Sequence, residues 1–181
     1  MSPKYHLIVD LEATCSNDSS LPREEMEIIE IGAVMVDAQT MEIVSEFQSF
    51  IRPVRHPQLT DFCKEMTSIN QNDVDKAPGF LEVIENFQKW LSDFDNYDFC
   101  SWGYYDKNQL EKDCQFHGIP SPIQAVHRNL KVEFSEFLGI KKSYGMSKAL
   151  ARIGINLEGT HHRGIDDARN IAKIFKHIHN K

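Results

Sequence analysis

Tyr5-His-Leu-Ile-Val-Asp-Leu-Glu-Ala-Thr-Cys15 is the stretch from which the rest of the chain can be organised. Leu7, Ile8 and Val9 form a short apolar run, the composition of a strand covered on both faces. Tyr5 to Leu11 is therefore read as a core strand. At its end, Asp10 and Glu12 stand two positions apart, so the two-residue period sends both carboxylates to one face and Leu11 to the other. Two carboxylates crowded at the mouth of a core strand repel each other and lose solvation, and a hard divalent cation is the natural neutraliser. A D-x-E triplet alone is common, however, and equally describes a strand running out into polar loop.

Outward from this strand, Ile28 to Val36 reads as a second strand, and Glu42 to Ile51 as a third after the polar turn at Asp37-Ala38-Gln39-Thr40. Arg52-Pro53 stops it, because proline removes a ladder donor. The three make an antiparallel meander. From Phe80, the apolar positions Val83, Ile84, Phe87, Leu91 and Phe94 recur with helical spacing. Tyr97 to Trp102 is a short strand, and Asp106 is placed to cap the helix that runs to Gly118. A small helix is expected over Ser147 to Ile153, closed by Gly154. A final helix starts near Asp166, with Ala168, Ile171, Ala172, Phe175 and Ile178 on its inner face. A hairpin sheet followed by strand–helix units predicts a mixed α/β architecture.

The 181 residues suit one domain, residues 1–181, and 41% apolar with 26% charged residues is ordinary globular composition. The longest apolar run, Ala33 to Val36, is far short of a membrane span, and the first residues carry no apolar leader. Cys15, Cys63, Cys100 and Cys114 form no C-x-x-C pair, so reduced thiols in a cytoplasmic protein are expected. Asn17-Asp18-Ser19 is then a chance glycosylation sequon. The formal charge of −7 argues against a protein that coats nucleic acid. Between Arg128 and Arg152, however, six basic residues face only Glu133 and Glu136, enough for one short polyanion or for a solvated face.

Further carboxylates fall at helix starts, where each has an ordinary explanation: Asp106 as a cap, Asp166 and Asp167 as first-turn acids favoured by the macrodipole. His162 precedes Asp167 by five positions. His177 and His179 do not share a helix face and are read as a solvated end. In order along the chain, D-x-E on the first strand, a lone Asp at a strand–helix junction and H-x-x-x-x-D at the last helix match the pattern of the DEDDh 3′-to-5′ exonucleases. Asp10-Leu-Glu-Ala-Thr-Cys, Glu30-Ile-Gly, Leu59-Thr-Asp-Phe-Cys, Ser101-Trp-Gly and His162-Arg-Gly-Ile-Asp-Asp-Ala-Arg-Asn-Ile-Ala strengthen the match. These segments resemble the RNA-directed subfamily that includes the histone-mRNA stem-loop exonuclease and bacterial sporulation-inhibitor-type enzymes. The resemblance runs over roughly residues 5 to 178.

The resemblance implies a ribonuclease-H-like fold, a five-stranded mixed sheet flanked by helices. It implies that Asp10, Glu12, Asp106 and Asp167 hold two divalent cations, Mg²⁺ or Mn²⁺, with Glu12 in the reacting centre and His162 as general base. Phe62 and Trp102 would flank the terminal base, and Ala13 and Thr14 would contact the nucleotide. Leu11 stands where the family often has an aromatic residue. Physically, two divalent ions roughly 3.5–4 Å apart activate water and relieve charge on the leaving oxygen. Histidine suits the base because its unperturbed pKa is near 6.5. Phe62 and Trp102 otherwise read as core aromatics. Lys148 and Arg152, one turn apart, are candidates for backbone phosphates or plain surface residues. The expected activity is release of nucleoside 5′-monophosphates from the 3′ ends of RNA single strands or overhangs. A DNA-directed repair exonuclease with the same chemistry, or a protein that shields RNA 3′ ends without cutting, are the competing readings.

Overall fold

The computed structural model describes residues 2–179. One sheet of five strands, β1 (Tyr5–Ala13), β2 (Ile28–Asp37), β3 (Ile43–Phe50), β4 (Tyr97–Ser101) and β5 (His127–Asn129), runs in the order β3-β2-β1-β4-β5. β1 is antiparallel to β2, and β2 to β3, while β4 and β5 add on parallel to β1. The expected meander and the ribonuclease-H-like mixed sheet are both present.

Among the described residues seven α-helices flank this sheet: α1 (Asp61–Thr67), α2 (Gln71–Asp75), α3 (Phe80–Leu91), α4 (Tyr105–Phe116), α5 (Leu130–Phe137), α6 (Met146–Arg152) and α7 (Gly164–His179). The alternation of β1 decides the layers. Leu7, Val9 and Leu11 point to one face, where Val83, Ile84 and Phe87 of α3 and Leu110 of α4 complete a core. Ile8 points to the other, with Leu130 and Phe134 of α5, Ala149 and Leu150 of α6, and Ala168, Ile171 and Phe175 of α7. A smaller core of Ile29, Leu59, Cys63, Ile69 and Val74 sits beneath α1 and α2.

Several expectations need correction. β1 continues to Ala13, so Asp10 and Glu12 lie within the strand rather than at its end. The helix after β4 begins at Tyr105, and its N-cap Tyr104 makes no side-chain cap bond. Asp106 is therefore a first-turn residue, its carboxylate engaged elsewhere. His179 is not simply solvated: its Nε2 lies 3.1 Å from a Glu133 carboxylate oxygen. Arg128, counted in the basic stretch, is committed to Asp98 at 2.9 Å and Glu133 at 2.6 Å. Among the described residues no helix is long and apolar enough to cross a membrane.

One contact fixes α7 against the sheet. Gly32 on β2 lies directly under Gly164, the first residue of α7, so close that any Cβ at Gly32 would overlap the Gly164 backbone. A Cβ at Gly164 would in turn sit 2.9 Å from the Asp10 carbonyl oxygen and 3.0 Å from the Gly32 nitrogen. Glycine at both positions lets the helix start abut the strands with no side chain between them.

Candidate active site

Asp10 faces Gly32 across the β1–β2 ladder, and Glu12 faces Glu30. Both acids project to the α7 face of the sheet, past the apolar cover. Because α7 starts at the Gly32–Gly164 contact, its first turn delivers Asp167 to the same place. One carboxylate oxygen from each of Asp10, Glu12 and Asp167 lies within 4.8 Å of the others. Asp106 lines the same cleft from the first turn of α4, and its Oδ1 accepts the Leu11 amide at 2.9 Å. That bond joins the helix to the strand between the two D-x-E acids, which explains why Asp106 does not serve as a cap.

Asp106 and Asp167 are each only 4% exposed. Burial raises all four acids, Glu12 to about 9, Asp106 to about 7, Asp10 well above the usual carboxylate range and Asp167 upward; repulsion from the neighbouring acids adds to it at Asp10 and Glu12, while the Leu11 amide at Asp106 and the two histidines at Asp167 pull the other way. Among the described residues no lysine or arginine pairs with these four acids; Arg163, beneath them, pairs instead with Glu30 at 3.1 Å. The donor set is all carboxylate oxygen, which fits a hard divalent ion.

The sign of the pH effect follows. Without a divalent ion, the folded acids retain protons that the unfolded chain releases near pH 4 to 5, so the folded state binds more protons up to about pH 9. Stability of the ion-free protein accordingly falls as pH rises through that window. A divalent ion would need the ionised acids, so its binding is expected to reverse the loss. The rise in melting temperature on adding Mg²⁺ is expected to be larger at pH 8.5 than at pH 6, by thermal denaturation against an EDTA control. An increment that is flat or shrinks with pH would contradict the caged-acid site.

The loop into α7 is clamped from below. Glu30 is fully buried, and its carboxylate accepts from Arg163 Nε at 3.1 Å, the Gly164 amide at 3.0 Å and Gln48 Nε2 at 3.1 Å. This holds His162, in the left-handed region at φ 64°, over the cleft. The His162 amide donates to Asp167 at 3.0 Å, and its ring stacks on His161 at 3.9 Å. The His161 Nδ1 lies 3.0 Å from Asp167 Oδ2. Burial, with the neighbouring His161, lowers the pKa of His162 and so favours the neutral ring, the form that can accept a proton. Asp166 turns away, accepting the Thr160 amide at 2.9 Å and pairing with Arg169 at 3.1 Å, as its position outside the D-x-E and H-x-x-x-x-D pattern suggests.

The cleft holds about 700 Å³. Phe62 from α1 and Trp102 after β4 both line it, half-buried, and Ala13 contributes to its wall. Trp102 also donates from Nε1 to the Tyr144 carbonyl at 3.0 Å, so its ring is held in place. Thr14 is placed differently from expectation: it is buried, with its hydroxyl accepting the Glu27 amide at 2.9 Å, and it does not line the cleft. Lys148 and Arg152 are exposed on α6 and lie outside the lining, to which α6 contributes Met146. Residues that the sequence reading did not single out include His161, Tyr105 and Gln109 on the wall, and Arg163 beneath it. The neighbouring His161-His162 pair, and Arg163 within the quoted His162-Arg-Gly-Ile-Asp segment, are where the sequence carried a signal for them.

A sheet of this topology, with acids from β1, α4 and α7 gathered beside a histidine, defines a metal-dependent nuclease of the ribonuclease-H-like class. The comparisons are consistent with it at every level. The chain belongs to the Exonuclease (RNase_T) family, which matches residues 7–175. It is 35% identical over 177 residues to the probable 3′-5′ exonuclease KapD of Bacillus subtilis, covering 97% of this chain and 85% of that protein. It is 36% identical over 180 residues to human ERI1 exoribonuclease 3, covering 95% of this chain and 52% of that one. The chain thus spans about half the length of the animal exoribonuclease. Among solved structures, it resembles the nuclease domain of 3′hExo, a DEDDh family member bound to rAMP, with a TM-score of 0.90 and 29% identity over 97% of this chain and 92% of that one.

Proposed function

We propose that residues 1–181 act as one exonuclease domain that removes nucleoside 5′-monophosphates from the 3′ ends of RNA single strands or overhangs. The convergence of Asp10, Glu12 and Asp167 within 4.8 Å, beside Asp106 and His162, is the observation that carries the reading. RNA over DNA is supported by the relatives named exoribonucleases and by the 3′hExo complex with rAMP.

Asp10, Glu12, Asp106 and Asp167 would hold a pair of Mg²⁺ or Mn²⁺ ions, which when bound supply an activated water and offset charge on the phosphate and leaving oxygen. The chain's own part is positional. A ring nitrogen of His162, whose neutral form burial favours, takes the proton of the attacking water. Phe62 and Trp102 grip the terminal base by stacking, which tolerates any base. Glu30 and the Gly32–Gly164 contact keep the histidine loop and Asp167 in register with β1. Cys15, Cys63, Cys100 and Cys114 are free thiols, which supports a reducing, cytoplasmic setting.

The deciding experiment is a time course on 5′-labelled RNA and DNA of matched sequence, single-stranded, blunt and with 3′ overhangs, in Mg²⁺ and in EDTA. A ladder shortening from the 3′ end, faster on RNA and absent in EDTA, is expected. Metal-independent cleavage or binding without cleavage would overturn the reading; faster loss of DNA would move the substrate to the other nucleic acid.

A further inference from the structure

A second groove of about 470 Å³ lies alongside the cleft, within the range of pockets that hold small ligands. The two depressions share both walls. In the turn after β4, Trp102 and Tyr105 face the cleft, whereas Gly103 and Tyr104 face the groove. In the segment before α6, Gly145 faces the cleft and Ser143 the groove. The Trp102–Tyr144 hydrogen bond ties the two walls together at the seam. A strand that left the cleft on this side would cross that ridge and enter the groove.

The groove has the chemistry of a single-stranded polyanion path. Tyr104 is 60% exposed, an unusually open position for a large aromatic ring, and it can stack on a base. Lys131 and Lys141 stand on the lining. From Leu138 to Arg152 the chain carries Lys141, Lys142, Lys148 and Arg152 and no acid. Glu133 is neutralised by Arg128 at 2.6 Å, which leaves Glu136 as the acid on the groove wall. The opposite exit from the cleft is less hospitable. Lys112 there is engaged with the Arg23 carbonyl at 2.7 Å, and Glu24 stands beside it in the sequence, while Glu25 and Glu111 are paired with His56 and Lys107.

We propose that this groove is a subsite for the nucleotides upstream of the two at the 3′ end, with Tyr104 as stacking platform and Lys131 and Lys141 as phosphate contacts. It deepens the exonuclease reading, on which it rests. The subsite makes affinity depend on strand length and gives the basic stretch a purpose that Lys148 and Arg152, off the cleft, do not serve there.

The test measures binding of fluorescein-labelled single-stranded RNA of two and eight nucleotides by anisotropy, with Ca²⁺ in place of Mg²⁺, alongside hydrolysis of the p-nitrophenyl ester of thymidine 5′-monophosphate in Mg²⁺. The triple variant Tyr104→Ala, Lys131→Ala, Lys141→Ala is expected to weaken octamer binding at least about tenfold. It should leave dinucleotide binding and ester hydrolysis unchanged, and Tyr104→Phe should retain octamer affinity. Equal octamer affinity in wild type and triple variant, or an equal loss for octamer and dinucleotide, would overturn the subsite. Absence of ester hydrolysis in the wild type would instead strike the exonuclease reading, because the binding measurement tests the groove without any turnover.

Discussion

The substitution Asp167→Asn is expected to lower degradation of a 3′ end by roughly a hundred- to a thousandfold, the scale of removing one charge-stabilising group from a preorganised site. The side chain keeps its size, and its remaining oxygen can still accept the His162 amide, which Asp167 now receives at 3.0 Å. Helix α7 therefore stays seated. What is lost is one of three carboxylates whose oxygens lie within 4.8 Å, and with it the charge that would hold a divalent ion. Circular dichroism and the melting temperature in EDTA should match or exceed the wild type, since a neutral amide relieves crowding with Asp10 and Glu12. Substantial activity in this variant would show that the acids are not the reaction centre.

His162→Ala is expected to lower kcat by roughly a hundred- to ten-thousandfold, the usual contribution of a positioned general base. KM and cation affinity should change far less. The neighbouring His161 supplies the control. Its Nδ1 rests against Asp167 at 3.0 Å and its ring stacks under His162, so His161→Ala should perturb the rate more mildly, by loosening the loop. If His161→Ala proved the more damaging of the two, the base assignment would have to move by one residue. Steady-state kinetics on one short oligonucleotide, with saturation curves for each variant, separates the outcomes.

Much of this site can be read from spacing. The two-residue period puts Asp10 and Glu12 on one face, and the structure turns that face toward α7. The inner stripes of α3 and α7 are legible because long amphipathic helices repeat their signal over several turns. Shorter elements lack that repetition. β5 is His127, Arg128 and Asn129, with no apolar residue, and α1 and α2 occupy seven and five residues, too few to establish a period. Asp106 was visible as an acid at a helix start, but local sequence favours a cap; its true partner, the Leu11 amide, is 95 positions away. Glu30 and Arg163 meet across 133 positions, so their pairing was legible only as fragments of a resemblance. Thr14 next to the D-x-E suggested substrate contact, yet the β1–β2 bulge buries its hydroxyl on Glu27.

The Gly32–Gly164 contact has a consequence for how this molecule can vary. The spacing between the strand acids and the helix acid is set by two bare backbones meeting, with no side chain whose length could be adjusted. In a saturation library scored for nuclease activity, these two positions should tolerate almost no replacement, although neither residue carries a reactive group. Divergence of the catalytic pit is then limited by its skeleton, and a designer wishing to widen it would have to move the helix axis rather than trim a residue.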